Sequence, residues 1–220
     1  MTYIITLFLL TQSFTDRLTT NPAVSVNVSG TTVPSFFLKP ILTHSSSFYG
    51  EGAGGAWSFG KKKTPFEISL NYWHIRASDG NFHAKNYSWA ETQYMEFENM
   101  YFIYAQFSWK KYWTLSSELD FFLRGGIGVG VLTGTATSWA TSGCRPGNIH
   151  RASTNDRWTD SCYHNPNWDR ENVDLPPVLP ALEGAVGIRY RMSRDFALLF
   201  ETSIFLPGTL KTAISIEHRF

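Results

Sequence analysis

The sequence predicts an all-β protein: an antiparallel, up-and-down transmembrane β-barrel of eight strands. Three observations carry this reading. First, residues 113–131 alternate in polarity for about nineteen positions, roughly three times the usual strand length in globular proteins. Trp113, Leu115, Leu119, Phe121, Leu123, Ile127, Val129 and Val131 fall on one face. Ser116, Glu118, Asp120, Arg124, Gly126, Gly128 and Gly130 fall on the other, with Phe122 its large apolar exception. Second, short and long connections alternate along the chain. Third, no segment has the roughly eighteen consecutive apolar residues of a spanning helix, an absence that leaves a barrel open.

Composition bounds the function classes. A chain of 220 residues can bury a core as one domain. Its formal charge of +1 gives no electrostatic reason to expect a nucleic-acid partner. Aromatic residues make up 16% and charged residues 17%, a balance that suits a barrel hiding polarity on its alternate face.

Taken in order, residues 1–20 read either as a signal remnant or as an N-terminal arm. Residues 3–10 are an apolar run, but no Lys or Arg precedes it and no clear cleavage site follows. Residues 21–220 read as the barrel. Its first strand lies either around Val24, Val26 and Val28 or within residues 34–44, where Pro40 weakens the pattern. Residues 48–60 place Tyr49, Ala53, Trp57 and Phe59 on one face, with Gly50, Gly52, Gly54 and Ser58 on the other. Glu51 falls on the oily face and is expected near a rim or bulge.

Residues 60–65 (GKKKTP) form a turn into a strand carrying Phe66, Ile68, Leu70 and Tyr72. Residues 74–94 hold a polar loop around Asp79-Gly80-Asn81. Residues 96–110 are a long strand, and residues 110–112 (KKY) read as a tight turn into the strand at 113. Residues 135–177 lack sustained periodicity and read as one long loop. Three strands finish the chain: residues 182–191, 196–204 and 210–220, separated by MSRD and by Pro207-Gly208. Short turns on one rim and long loops on the other, with Pro207-Gly208 a short exception on the long-loop side, describe a bacterial outer-membrane barrel, with the 135–177 loop extracellular.

Alternation alone does not say which face is inside, since a soluble lipocalin-like carrier shows the same period. Three features turn the oily face outward. Aromatic residues tip it near strand ends: Trp57, Phe59, Tyr72, Trp73, Trp109, Trp113 and Tyr190. The polar face mixes acids (Glu67, Glu98, Glu118, Asp120, Glu183, Glu201, Glu217) with bases (Arg124, Arg189, Arg191, Lys211, Arg219) among glycines that leave room for long side chains. Buried charges must pair, so these residues are expected to form a connected network in a narrow lumen. The strands are also longer than a small soluble barrel needs.

Here the chain resembles a family. The ending Ile214-x-Ile216-x-His218-x-Phe220 is similar to the Phe-terminated last strand of bacterial outer-membrane proteins, and residues 48–220 resemble the eight-stranded OmpA/OmpX-type barrels. His218 departs from the family's apolar preference at its position. The resemblance implies recognition of the last strand by the barrel-assembly machinery, and contact with membrane lipid and lipopolysaccharide.

Cys144 and Cys162 fit a disulfide in an oxidising compartment, and closing that loop removes roughly 3 kcal/mol of unfolded-state entropy. With Trp139, Trp158, Trp168, Tyr163, Arg145, Arg151, Arg157 and Arg170, the loop has the residue types that anchor interfaces. A monomer with a structural or surface-interaction role, no catalysis and no cofactor is the expectation. The alternative is a lipid A-modifying hydrolase, because His44-Ser45-Ser46 has a His-x-Ser spacing that loosely resembles the lipid A deacylase pattern. A Ser-rich turn is the plainer reading. His150 and His164 with Asp156 and Asp160 are too irregularly spaced for a metal site, and His74 and His83 read as rim or surface residues.

Overall fold

The computed structural model describes residues 22–34, 38, 42–44, 47–150, 152–153, 162–164, 170–206 and 208–220. The expected signal remnant or arm at residues 1–20 lies outside them. Eight strands form the barrel: β1 (Ala23–Val33), β2 (Phe48–Lys61), β3 (Thr64–Ala77), β4 (Gln93–Thr114), β5 (Leu119–Ser142), β6 (Val178–Arg191), β7 (Phe196–Leu206) and β8 (Thr209–Arg219). Each pairs antiparallel with the next. β1 also pairs with β8, from Ala23↔Arg219 to Thr32↔Leu210, and the sheet closes. Hydrocarbon offers no partner to an orphan N–H or C=O, so only a closed sheet or a helix can cross it. Of the two candidate first strands, the one around Val24–Val28 belongs to the barrel. Leu42–His44 is instead a short strand outside it, pairing with Gly80–Ala84.

The faces divide as a membrane barrel demands and a carrier does not. Val26, Leu70, Ile127 and Ile216 point outward and are 49–64% exposed, whereas Glu67, Asp120, Arg124, Glu183 and Glu217 point inward and are at most 6% exposed. Two aromatic layers cross the interior. Nearer the long loops, Trp73, Phe102, Tyr104 and Phe205 pack with Ala181. Nearer the short turns, Tyr112 and Phe122 pack with Ala197 and Leu199. Trp73 is therefore not the outward aromatic tip expected of it. It follows Tyr72 on the opposite face, and its indole nitrogen donates to Ser29 Oγ at 3.1 Å.

Glycines opposite these rings make the packing possible. A side chain at Gly187 would meet the Phe122 ring, one at Gly130 the Phe102 ring, and one at Gly128 the Ala105 carbonyl across the β4–β5 ladder. Gly125 and Gly184 are paired across β5 and β6 on the outward face, where an added methyl group would meet nothing within 4 Å.

Residues 113–131 are not one strand. The chain reverses between Thr114 and Leu119, where the Leu115 and Ser116 N–H groups donate to the Leu119 carbonyl at 2.9 and 3.1 Å. Ser116 Oγ accepts from the backbone N–H groups of Glu118 and Leu119. The turn holds an even number of residues, so polarity stays in phase across it and the reversal is hidden. Residues 110–112, expected as the turn, are strand, with Lys110 and Tyr112 turned inward.

The expected loops also hold more strand. β3 runs to Ala77, Gly80–Phe82 pairs with Gln93–Met95, and a 3-10 turn at Trp89–Glu91 is capped by Ser88. β5 continues to Ser142, and Arg170–Val173 pairs with Ala136–Trp139, so residues 135–177 are not a single structureless loop. Glu51 lies near the long-loop rim, exposed and bonded to Arg76 at 2.5 Å.

Gly128→Ala is expected to lower the refolded fraction in detergent, with an overpacking cost of about 1–3 kcal/mol or more. Gly125→Ala and Gly184→Ala should leave it unchanged. Heat-modifiable migration on a denaturing gel reads both, and equal behaviour of all three variants would contradict the packing described.

Candidate functional site

Two regions concentrate chemistry: the lumen and the sheet that projects beyond the barrel. In the lumen, Arg124 reaches from β5 to two acids. Its Nη2 lies 2.8 Å from Glu183 and 2.5 Å from Glu201, its Nε 2.9 Å from Glu201, and its Nη1 donates to Gln106 at 2.9 Å. Lys211 Nζ is 2.8 Å from Glu183, which also accepts from Ser203 Oγ at 2.6 Å. Lys110 Nζ bonds Glu67 at 2.5 Å, and Ser58 Oγ donates to the same carboxylate. Toward the short turns a second group forms. Arg189 bridges Asp120 at 3.2 Å and Glu217 at 3.0 Å, Arg191 clasps Asp120 at 2.5 Å, and Arg219 reaches Glu217 at 2.8 Å.

Ten of the twelve charged residues expected in the lumen are thus brought together: Glu67, Asp120, Arg124, Glu183, Arg189, Arg191, Glu201, Lys211, Glu217 and Arg219. Glu98 and Glu118 are not among them. Glu118 sits exposed in the 115–118 turn, and Glu98 is exposed beside a bulge in β4. Lys110 is the member that sequence reasoning missed, because its segment reads as a turn. Continued alternation from Ser108 through Lys110 to Tyr112 is the signal that could have found it.

The cations also meet rings: Lys110 over Phe122, Arg189 over Tyr112 and Lys211 over Trp73, at 5.5–5.9 Å from the centroids. A void of about 30 Å³ remains among Asn27, Asn71, Glu67, Lys110 and Arg124, space for one or two waters. Between the two aromatic layers this interior is filled rather than open, as the width of an eight-stranded barrel implies.

Above the barrel, β4 and β5 continue as a ribbon. A transmembrane strand needs only about 9–11 residues, whereas these have 22 and 24. The ladder shifts at the bulge between Glu98 and Tyr101, opposite Gly134. Gly134 has a φ of 131°, and a side chain there would press on the Asn99 carbonyl and Met100, so glycine is required. Past the bulge, Phe48, Phe82 and Phe97 pack edge to face at 5.6–6.1 Å, a small core outside the barrel.

The Cys144–Cys162 disulfide ties the end of β5 to the short strand Cys162–His164, which pairs with Thr141 and Ser142. Asn148 Oδ1 accepts from the Arg145 N–H, and Asn81 Nδ2 donates to the Ile149 carbonyl at 2.7 Å, which fixes the start of the disulfide loop. His164 stacks on Tyr94 with centroids 3.7 Å apart, and Arg170 lies over Trp139 at 5.6 Å. His83 is buried rather than a surface residue; it stacks on Trp89 at 3.9 Å and bonds Thr92 Oγ1.

His74 stacks on Tyr101 at the rim. Trp158, Trp168, Arg151, Arg157, Asp156 and Asp160 lie outside the described residues, as do Ser45 and Ser46 of the His-x-Ser spacing. No group of metal-ligating side chains gathers among the described residues.

Removing one lumen partner leaves the others charged and dry. Arg124→Met should destabilise the barrel by about 3–5 kcal/mol in urea titrations, with Glu183→Gln and Glu201→Gln added to it recovering part of the loss. Wild-type stability in Arg124→Met would contradict the pairing. In the projecting sheet, burial holds the His164 imidazole below its ordinary 6.5, with Glu96 pulling the other way. The unfolded chain therefore takes up more protons as pH falls through the ordinary histidine range. Stability of this region is full above about 6.5 and declines on acidification until the folded imidazole is also protonated. Hydrogen exchange at residues 162–164, corrected for intrinsic rates, should quicken accordingly; protection that is constant or increases would contradict it.

No family model and no curated protein matches the sequence. Among solved structures the chain is similar to Ail, the attachment invasion locus protein of Yersinia pestis, at 10% identity and a TM-score of 0.45, covering 91% of this chain and 98% of that one. It is similar to Neisserial surface protein A at 8% identity and a TM-score of 0.45, covering 90% and 95%. With the N-terminal β-barrel domain of Pseudomonas aeruginosa OprF it shares 10% identity at a TM-score of 0.40, covering 90% and 97%. Its own closure, outward apolar belt and ion-paired interior make the chain an eight-stranded transmembrane barrel of the outer-membrane kind.

Proposed function

We propose that this protein acts as an outer-membrane surface-recognition module, in which the barrel anchors and the projecting sheet binds. The observation that carries the reading is the β4–β5 ribbon, which continues well past the length that a membrane needs and is held rigid by flanking strands, a ring cluster and a disulfide. Such reinforcement has no use in anchoring. It pre-orders a surface, and pre-ordering lowers the entropy cost of binding. Tyr163, Arg145, Arg170 and the Trp139 ring, together with the Trp- and Arg-rich residues 151–169, would supply the contacts. The lumen charges act in this reading as a structural plug. On the opposite end, β8 would serve as the segment that the barrel-assembly machinery reads, and the protein would work as a monomer.

The test replaces residues 143–169 with a short Gly-Ser turn and, separately, introduces Cys144→Ser with Cys162→Ser. Cells displaying each form are measured for capture on immobilised lipopolysaccharide and on host extracellular-matrix glycans. The replacement should abolish capture while heat-modifiable migration persists, and the double Ser variant should weaken it. Capture equal to wild type after replacement would remove the recognition role from this region.

A further inference from the structure

We propose that the short-turn end carries, on its β2–β5 side, a binding edge for the headgroups of anionic phospholipids. Four lysines converge there. Lys61 ends β2, Lys62 and Lys63 form the turn into β3, and Lys111 lies near the end of β4. The turn and β4 are directly joined, because the Tyr112 N–H donates to the Lys63 carbonyl at 2.9 Å. Lys61, Lys62 and Lys63 are exposed and Lys111 is half-buried. None of the ion pairs among the described residues involves any of the four. The nearby acids are otherwise placed: Glu67 and Asp120 are turned inward onto Lys110 and onto Arg189 and Arg191, and Glu118 projects from the next turn.

A second observation fixes what these amines face. Lys61 continues the outward file of Trp57 and Phe59, and Lys111 stands between Trp109 and Trp113 on the outward file of β4. The rings form a run, Trp57 with Phe59 at 4.9 Å, Phe59 with Phe66 at 6.1 Å and Phe66 with Phe107 at 5.5 Å, and a separate pair, Trp113 with Phe121 at 5.7 Å. Aromatic rings of this kind settle at the level of lipid headgroups. Lysine stems run along apolar surface and release their charge at the water boundary, so the four amines emerge in the phosphate layer.

The choice of cation narrows the partner. Arginine would clamp a single phosphate with a fixed fork, whereas flexible lysines act as point charges that select a charged layer without fixing one geometry. The edge therefore fits the anionic phospholipids of the leaflet on the short-turn side better than a soluble phosphate.

The whole chain, refolded into bilayers of phosphatidylcholine and phosphatidylglycerol in equal parts, provides the test. Spin-labelled analogues of each lipid report association with the barrel surface. Wild type should prefer phosphatidylglycerol severalfold, with added salt eroding the preference. Combining Lys61→Gln, Lys62→Gln, Lys63→Gln and Lys111→Gln should remove it, bringing the two lipids to near-equal association. Lys85→Gln, exposed on the long-loop side, should retain it, and Lys111→Gln alone should give a partial loss if the fourfold variant fails to refold.

Equal association of both lipids with wild type would overturn the proposal, as would a preference that survives in the folded fourfold variant. Abolition by excess inorganic phosphate at constant ionic strength would also overturn it, since the edge would then be a general anion site.

Discussion

Hydrocarbon accepts neither an unpaired backbone group nor an unpaired charge, and this double prohibition shapes every part of the barrel. The first half of it closes the sheet between β1 and β8. The second sends the strongly polar side chains that lie away from the rims, such as Glu67, Arg124, Glu183 and Lys211, to the interior, where they must find one another. Because eight strands enclose little space, Arg124, Lys110 and Lys211 sit where small residues such as Ser25, Ala56, Ser69 and Ala213 line the interior, and the glycines make room for the rings. Burying isolated ions costs several kcal/mol each, so the network is a condition of having a polar lumen more than a source of net stability. The aromatic layers bound its central part on either side. The ring at 122 occupies the space that a side chain at 187 would need, so the ring requires glycine there.

How much of this can be read from the sequence depends on the period of the strand. Two-residue alternation is a local property, and it locates the inward file from Glu67 to Asn71 and from Glu183 to Arg189. It fails where phase carries no information. The 115–118 reversal preserves parity, so Trp113 and Phe121, which are cross-strand neighbours, look like members of a single strand. The same ambiguity moves Lys110 into a turn. Trp73 shows a different limit: tryptophan is at home both in a headgroup region and in a packed interior, and only the neighbouring Tyr72 fixes which applies.

The projecting sheet is the least legible part. Its pairings connect residues far apart in sequence, such as Arg170 with Trp139 and Leu42 with Ala84, and each contributing strand is too short to show a period. What can be read there is chemical: two cysteines at a spacing suited to a bridge, and ring and guanidinium groups of the kind that anchor interfaces. Rings in this region are engaged in good part with one another, Tyr94 with His164 and His83 with Trp89, as internal supports. The barrel and the projection thus follow opposite solvent rules within one continuous ladder, and the bulge at Glu98–Tyr101 opposite Gly134 marks the change.

On the long-loop side, β7 and β8 are joined by a reversal so tight that the Gly208 N–H bonds the Phe205 carbonyl at 2.9 Å. The β4–β5 ribbon rises on the far side of the same ring of strands. Among the described residues the rim is thus high on one side and low on the other. A rim of unequal height gives this end of the barrel a direction: on one side the ladder stands clear of the bilayer, and on the other the chain turns back at once.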